Sequence, residues 1–124
     1  VELGDAMRSW CNAATEDEPD AARFEVDVFE AAMSGYAESG HMTDAEWGSI
    51  VTGTELICWE LAARFASDAL EETYFGFDDK YGGRGEHNLL RARAQTALAL
   101  SVRSQAPTAR AAIETARLAA HARS

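Results

Sequence analysis

The sequence predicts an all-α protein, an irregular bundle of five or six helices in one domain covering residues 1–124. Three observations lead to this prediction. Apolar residues recur at intervals of three and four, the spacing of one helix face, most clearly over residues 24–36. No segment alternates apolar and polar residues as a strand does. The last 36 residues are rich in alanine, the strongest helix former.

The first predicted helix covers residues 3–12, and an acidic loop, TEDEPD at 15–20, follows it. The second helix is expected to begin near Glu25 or Asp27, because acidic side chains interact favourably with the N-terminal end of a helix. We expect it to end at Gly40, because glycine readily adopts the backbone conformation that closes a helix.

Thr43 and Glu46 have the spacing of a capping box, which predicts that a third helix begins there. Gly48 and Gly53 are expected to break or kink this helix, since glycine is a poor helix former. A separate long helix is then predicted over residues 54–70.

The segment GFDDKYGGRG at 76–85 contains four glycines and two adjacent aspartates, which predict a loop. The next helix is expected to begin at Glu86 or Asn88. Pro107 fits the first turn of a last helix, where its missing N–H costs nothing. With four helices before the loop and two after it, this division gives six helices, or five if the glycines only kink the third helix.

Charge is unevenly distributed along the chain, whose formal net charge is −10. Residues 1–88 carry 20 acidic and 5 basic side chains, whereas residues 89–124 carry 1 acidic and 6 basic ones. An acidic surface repels nucleic acid and anionic membranes, so we expect neither as a partner. The basic segment is expected to pack on the acidic body, although its arginines leave phosphate binding, or a DNA-binding helical domain, as an alternative.

The cysteines and histidines do not suggest a disulfide scaffold or a metal site. Two cysteines in helical, apolar contexts are typical of a reduced, cytoplasmic protein, and no apolar run approaches the roughly 20 residues that span a bilayer. His41, His87 and His121 lack a second ligand at metal-binding spacing. The GGRG at 82–85 lacks the GK[ST] of a phosphate-binding loop, and DDKYGG lacks the ligand pattern of a calcium loop.

Glu60, Arg64 and Asp68 recur at every fourth position of the predicted helix over 54–70, and should therefore lie along one side of it. One interpretation is a ladder of ion pairs on the solvated face, which the residues alone favour. The other is an arginine held by carboxylates at the mouth of a pocket, where it binds hydroxyls or anionic groups of a ligand.

Four stretches occur in an order that resembles the C-terminal helical part of the aminoglycoside phosphotransferase-like kinases, and in particular the N-acetylhexosamine 1-kinase branch. The resemblance covers about 100 of the 124 residues. The stretches are GDAMRSWCNAATEDEPD (4–20), FEVDVFEAAMSGY (24–36), ELICWELAARFASDALEETYF (55–75) and EHNLLRARAQTALALSVRSQ (86–105).

The resemblance implies the substrate-side subdomain of a protein-kinase-like fold that acts on a sugar or similar hydroxyl compound. Arg64 and Tyr74 match the family's substrate contacts, with Glu60 and Asp68 as neighbours of the arginine in the pocket wall. The spacing between Arg64 and Tyr74 is one residue shorter than in the family pattern, and Ala69 stands where the pattern has a tyrosine.

The same resemblance implies that ATP and magnesium bind to an N-terminal lobe and catalytic loop that this sequence does not contain. We therefore expect the chain to be a fragment, inactive alone and with no cofactor or metal of its own. Its expected partners are a sugar-like substrate and the missing kinase half, without which an uncovered apolar face could cause self-association. The alternative is a non-enzymatic helical binding or interaction module.

Overall fold

The computed structural model describes residues 7–8, 22–39, 42–71 and 79–123. Three long helices account for most of them: α1 (Val26–Ser39), α2 (Asp44–Glu71) and α3 (Arg84–Arg123). A single 3₁₀ turn, Asp79–Tyr81, precedes α3. These ranges contain no β-strand, so the all-α prediction is confirmed for them.

Helix α3 is the centre of the fold, because it packs against both α1 and α2. Contacts between α2 and α3 run in opposite directions along the two helices, from Asp68 with Asn88 at one end to Asp44 with His121 at the other. The two helices are therefore antiparallel. The core lies between the three helices, and its largest fully buried apolar side chains are Phe29, Met7, Met33, Leu98 and Val102.

The prediction of five or six helices is wrong in the described part of the chain, because two predicted breaks do not occur. Helix α2 continues through Gly48 and Gly53 for 28 residues. Each glycine costs about 1 kcal/mol relative to alanine. Trp47, Ile50 and Val51 are buried beside them, and each such side chain contributes roughly 1.5–3 kcal/mol. Burial of the apolar face therefore outweighs the glycines.

The second missing break is at Pro107, which lies inside α3 and does not begin a new helix. Proline removes one backbone hydrogen bond and crowds the carbonyl four residues earlier. Helix α3 nevertheless continues, because Val102, Ala106 and Ala109 keep a buried face on both sides of the proline. Pro107 itself lies on the exposed side.

The predicted start of α2 is confirmed. The backbone N–H of Glu46 donates to Thr43 Oγ1, and the backbone N–H of Thr43 donates to Glu46 Oε1, both at 3.1 Å. These hydrogen bonds form a capping box. The bond from the Thr43 backbone is the main reason that the pKa of Glu46 lies below its ordinary value.

The other predicted boundaries have mixed outcomes. Helix α1 begins at Val26, beside the expected Asp27, and ends at Ser39; Gly40 lies outside the described residues. Gly82 has a φ of 98°, a conformation that glycine adopts readily, and it precedes α3. Helix α3 begins at Arg84, two residues before the expected Glu86. Of the predicted first helix only residues 7 and 8 are described, and both are helical; the acidic loop at 15–20 is outside the described residues.

The basic part of α3 packs along α2 of the same chain, as the charge distribution predicts. Arg103 Nη2 lies 2.8 Å from Glu55 Oε2, and Arg117 Nη1 lies 3.6 Å from Asp44 Oδ1. Between these pairs, Arg110 Nη2 donates to Thr52 Oγ1 at 3.4 Å. The seven-residue spacing of the three arginines therefore places them along the seam between α2 and α3.

The Glu55–Arg103 pair should make stability depend on pH. Partial burial raises the pKa of Glu55, but hydrogen bonds from Arg103 and Trp59 outweigh it and hold the pKa below its ordinary value. A lowered pKa stabilises the fold above the pKa of the unfolded chain, and this contribution disappears as pH falls through the folded-state value. We expect Glu55→Gln to cost up to about 1 kcal/mol at pH 7 and almost nothing below about pH 3.

Urea unfolding at several pH values measures this difference, with Glu30→Gln, an exposed carboxylate on α1, as the control. A cost for Glu55→Gln that stays constant from pH 7 to about pH 3 would contradict the expectation.

Pro107 should destabilise α3, and Pro107→Ala is expected to increase the free energy of unfolding by about 1–3 kcal/mol. The substitution restores one backbone donor within a helix that is unbroken from Arg84 to Arg123. Thr108→Ala, at the neighbouring exposed position, is the matched control and should gain about 0.5 kcal/mol or less from propensity alone. Equal effects of the two substitutions would show that the proline is not a strained point in α3.

Candidate functional site

The three predicted site residues on α2, Glu60, Arg64 and Asp68, do not share one environment. Glu60 and Arg64 are exposed, with side-chain exposures of 57% and 56%, and Arg64 Nε lies 3.8 Å from Glu60 Oε1. Asp68 is only 3% exposed. Four residues turn a helix by about 400°, so each step of four rotates the position by about 40°. Over two steps this rotation carries Asp68 from the solvent side to the side that faces α3.

Buried Asp68 belongs to a polar cluster that joins α2 to α3, and we call it the α2–α3 clamp: Phe65, Asp68, Asn88 and Arg91. Asn88 Nδ2 donates to Asp68 Oδ2 at 2.8 Å, and Arg91 Nη1 donates to Asn88 Oδ1 at 3.2 Å. The Arg91 guanidinium lies over the Phe65 ring, 5.5 Å from its centroid. Asn88 is fully buried. Because water is largely excluded, these hydrogen bonds should be stronger than exposed ones.

Helix geometry explains why these side chains meet. Phe65 and Asp68 are three residues apart on α2, and Asn88 and Arg91 are three apart on α3, so each pair lies on one face of its helix. The antiparallel arrangement brings the end of α2 to the start of α3. A carboxylate beside the first turns of a helix is also stabilised by the helix dipole.

Other buried polar side chains extend from the clamp along the first turns of α3. His87 is 1% exposed, and its ring stacks on Tyr81 with 4.5 Å between centroids. Gln95, one turn beyond Arg91, is 9% exposed, and its Oε1 has no hydrogen-bond partner among the described residues. A buried carbonyl oxygen of this kind raises the cost of folding unless a water molecule bonds to it.

The clamp was not predicted from the sequence. Arg91 and Gln95 appear in the sequence analysis only within the stretch that carries the kinase resemblance, and Asn88 appears there and as a possible helix start. Their spacing of three and four residues does place them on one helix face, together with apolar Ala92, Leu98 and Ala99. A polar line within an otherwise apolar buried face is the signal that could have indicated a buried network.

The predicted site residues therefore divide into two groups. Arg64 and Glu60 form an exposed pair that is accessible to a ligand, and Asp68 lies in the clamp beneath them. Tyr74 lies outside the described residues. Among the residues that the structure describes, no group of three or more His, Cys, Asp or Glu side chains could hold a metal ion.

The exposed Arg64–Glu60 pair can bind a polar ligand but offers no catalytic chemistry by itself. A guanidinium can donate two parallel hydrogen bonds to a diol, carboxylate or phosphate. Glu60, at 3.8 Å, restricts the conformations of the arginine and can accept a hydrogen bond from a ligand hydroxyl. Burial of Asp68 fixes the helix segment that carries both residues.

A second concave site lies at the opposite end of the α2–α3 pair. It is an open pocket of about 330 Å³ lined by Asp44, Trp47, Gly48, Ile113, Glu114 and Arg117. Arg117 joins Asp44 and Glu114 there, and the hydrogen bond from Arg117 is the main cause of the lowered pKa of Glu114. Arg117 is shared by the two carboxylates, so its charge is already engaged within the pocket and the three side chains together carry a formal charge of −1.

Comparison with protein-family models finds no match to the chain. In the described ranges, no helix combines the length and the apolar character needed to cross a membrane.

The clamp and the exposed pair should differ strongly in their contributions to stability. We expect Asp68→Ala to lower the free energy of unfolding by about 2–4 kcal/mol, because it leaves a buried amide without its acceptor. Glu60→Ala, at an exposed position of the same helix, should change the free energy of unfolding by about 0.5 kcal/mol or less. Urea unfolding of both variants decides this, and costs of similar size would contradict the division into clamp and surface pair.

Proposed function

We propose that this chain is the substrate-side helical subdomain of an ATP-dependent small-molecule kinase, a phosphotransferase whose acceptor is a sugar or similar hydroxyl compound. The proposal rests on the four ordered stretches that resemble the aminoglycoside phosphotransferase-like family, and on one feature of the structure. That feature is the contact between two of those stretches in the α2–α3 clamp.

The clamp supports the proposal because it gives a reason for the residues in these stretches. Asp68 comes from the stretch at 55–75, and Asn88 and Arg91 come from the stretch at 86–105. They meet through hydrogen bonds of 2.8 Å and 3.2 Å. A subdomain that shapes a pocket must hold its wall in a fixed position, and the clamp fixes the helix segment that presents Arg64.

Arg64 is the residue we assign to the acceptor. It lies less than two turns from the clamp on α2, its side chain is 56% exposed, and Glu60 is its ion-pair partner. Its guanidinium would bind hydroxyl or anionic groups of the acceptor, and Tyr74 would close the pocket from the following segment. The expected role of Asp68 becomes indirect, since it holds α2 and is itself buried.

Phosphoryl transfer depends on positioning the phosphates and on neutralising their charge with metal ions. In the proposed kinase, ATP and magnesium bind to the lobe that carries the catalytic aspartate and the metal ligands, and this chain supplies only the acceptor side. The protein in this form should therefore bind the acceptor without hydrolysing ATP.

The alternative is a non-enzymatic helical binding or interaction module. The first discriminating measurement is the intact mass of the protein produced by the native gene. A product two to three times the 13.4 kDa of this chain, with ATP-dependent phosphorylation of an N-acetylhexosamine or a related sugar, would support the kinase. A product near 13.4 kDa without phosphoryl transfer would support the module.

In the active kinase, Arg64→Ala should raise KM for the acceptor by about tenfold to a hundredfold and leave KM for ATP nearly unchanged. One or two charged hydrogen bonds to the acceptor account for a loss of this size. Arg23→Ala, an exposed arginine paired with Glu25, is the matched control. Unchanged acceptor kinetics in Arg64→Ala, with acceptor phosphorylation intact, would remove Arg64 from the site without removing the kinase assignment.

A further inference from the structure

Two contacts along the seam between α2 and α3 enclose a short level of the helix pair. The salt bridge between Glu55 and Arg103 lies on one side of this level, and the hydrogen bond from Arg110 to Thr52 lies on the other. Because the helices are antiparallel, the residues between these contacts face one another across the seam. The enclosed residues are 53–54 of α2 and 104–109 of α3.

Both enclosed residues of α2, Gly53 and Thr54, make the helix easier to bend. Glycine leaves the backbone more conformational freedom than any other residue. Apart from the neighbouring helix backbone, a Cβ added at Gly53 would meet no heavy atom of the described residues within 4 Å, so close packing does not require a glycine there. The buried Thr54 hydroxyl donates to the Ile50 carbonyl at 2.8 Å, and a side-chain bond of this kind often bends a helix.

The facing residues of α3 weaken that helix at the same level. Pro107 has no N–H, so the Arg103 carbonyl, four residues earlier, lacks the usual backbone donor. Ser104 Oγ donates to the Ser101 carbonyl at 3.0 Å, which is a second side-chain bond to the helix backbone. Bends in helices occur mostly at proline, at glycine–serine pairs and where a side chain enters the backbone hydrogen-bond ladder. Features of this kind therefore coincide in two facing helices.

The segment before α1 is attached to α3 close to this level. The backbone N–H of Phe24 donates to Ser101 Oγ at 2.8 Å, and Gln105 Nε2 donates to the Phe24 carbonyl at 2.7 Å. Atoms close to the axis of a hinge move little when it bends, so this attachment does not oppose bending. The clamp joins the helices on one side of the level, and the Arg117–Asp44 pair joins them on the other.

From these observations we propose that the helix pair contains a hinge, which we call the α2–α3 hinge: Gly53, Thr54, Ser104 and Pro107. Both helices stay unbroken and bend together at this level, because closely packed helices transmit strain to one another. Bending moves the half that carries the clamp relative to the half that carries the open pocket. The proposal is independent of the kinase assignment.

Nuclear magnetic resonance of the full 124-residue chain tests the proposal, because ¹⁵N relaxation dispersion detects the microsecond-to-millisecond motions typical of hinges. We expect exchange broadening of backbone amides near the hinge in both helices, and little at the clamp. Gly53→Ala should reduce this broadening at least about threefold, because alanine stiffens α2 and its methyl group enters open space. Gly35→Ala, at an equally open glycine of α1, is the matched control and should leave it unchanged.

The effect across the seam distinguishes one shared hinge from two separate flexible points. Pro107→Ala should reduce the broadening in α2 as well as in α3, whereas Thr108→Ala, at the neighbouring exposed position, should not. Alanine is the strongest helix former, so every variant should remain helical by circular dichroism. A reduction confined to the substituted helix would overturn the joint hinge. Absence of broadening at this level, broadening spread evenly along both helices, or an equal response to Gly35→Ala would overturn the hinge itself.

Discussion

The hydrogen bond between Asp68 and Asn88 is the interaction on which the arrangement of α2 and α3 depends. It is buried, it joins the end of one helix to the start of the next, and Arg91 extends it on the α3 side. Apolar packing brings the helices together but allows alternative registers about one helical turn apart. A directional bond at 2.8 Å between two fixed positions does not, so it sets the register of the pair.

The seam between α2 and α3 follows from that register. With Asp68 opposite Asn88, Glu55 comes opposite Arg103 and Asp44 comes opposite Arg117 and His121. Exposed ion pairs of this kind contribute little individually. Together, however, they favour the same register of α2 and α3 as the Asp68–Asn88 hydrogen bond, because a shifted register would place the arginines against neutral or apolar positions.

The sequence predicted the helical class and the start of α2 correctly, because both depend on local features. Helical spacing is a property of neighbouring residues, and the Thr43–Glu46 box is closed within one turn. The breaks at Gly48, Gly53 and Pro107 were wrong for the opposite reason. The free-energy cost of glycine or proline in a helix depends only on neighbouring residues. The burial that outweighs this cost involves contacts with other helices, which a short segment of sequence does not show.

The candidate site, like the fold, was predictable only where it depends on neighbouring residues. Periodicity placed Glu60, Arg64 and Asp68 on one helix, but the 40° drift per four residues separated an exposed pair from a buried carboxylate. The partner of Asp68 lies 20 residues further along the chain. No local pattern could identify it, because the contact depends on how far α2 extends before the chain reverses.

The positions of the seam contacts also order the loops that folding must close. The partners are 20 residues apart for Asp68 with Asn88, 48 apart for Glu55 with Arg103, and 77 apart for Asp44 with His121. The entropy lost on closing a loop grows with its length, so the clamp has the smallest loop to close. Once the clamp is formed, the effective loop for each later contact is only the stretch of helix between that contact and the one already made. The contacts are therefore expected to form in order of their distance from the clamp.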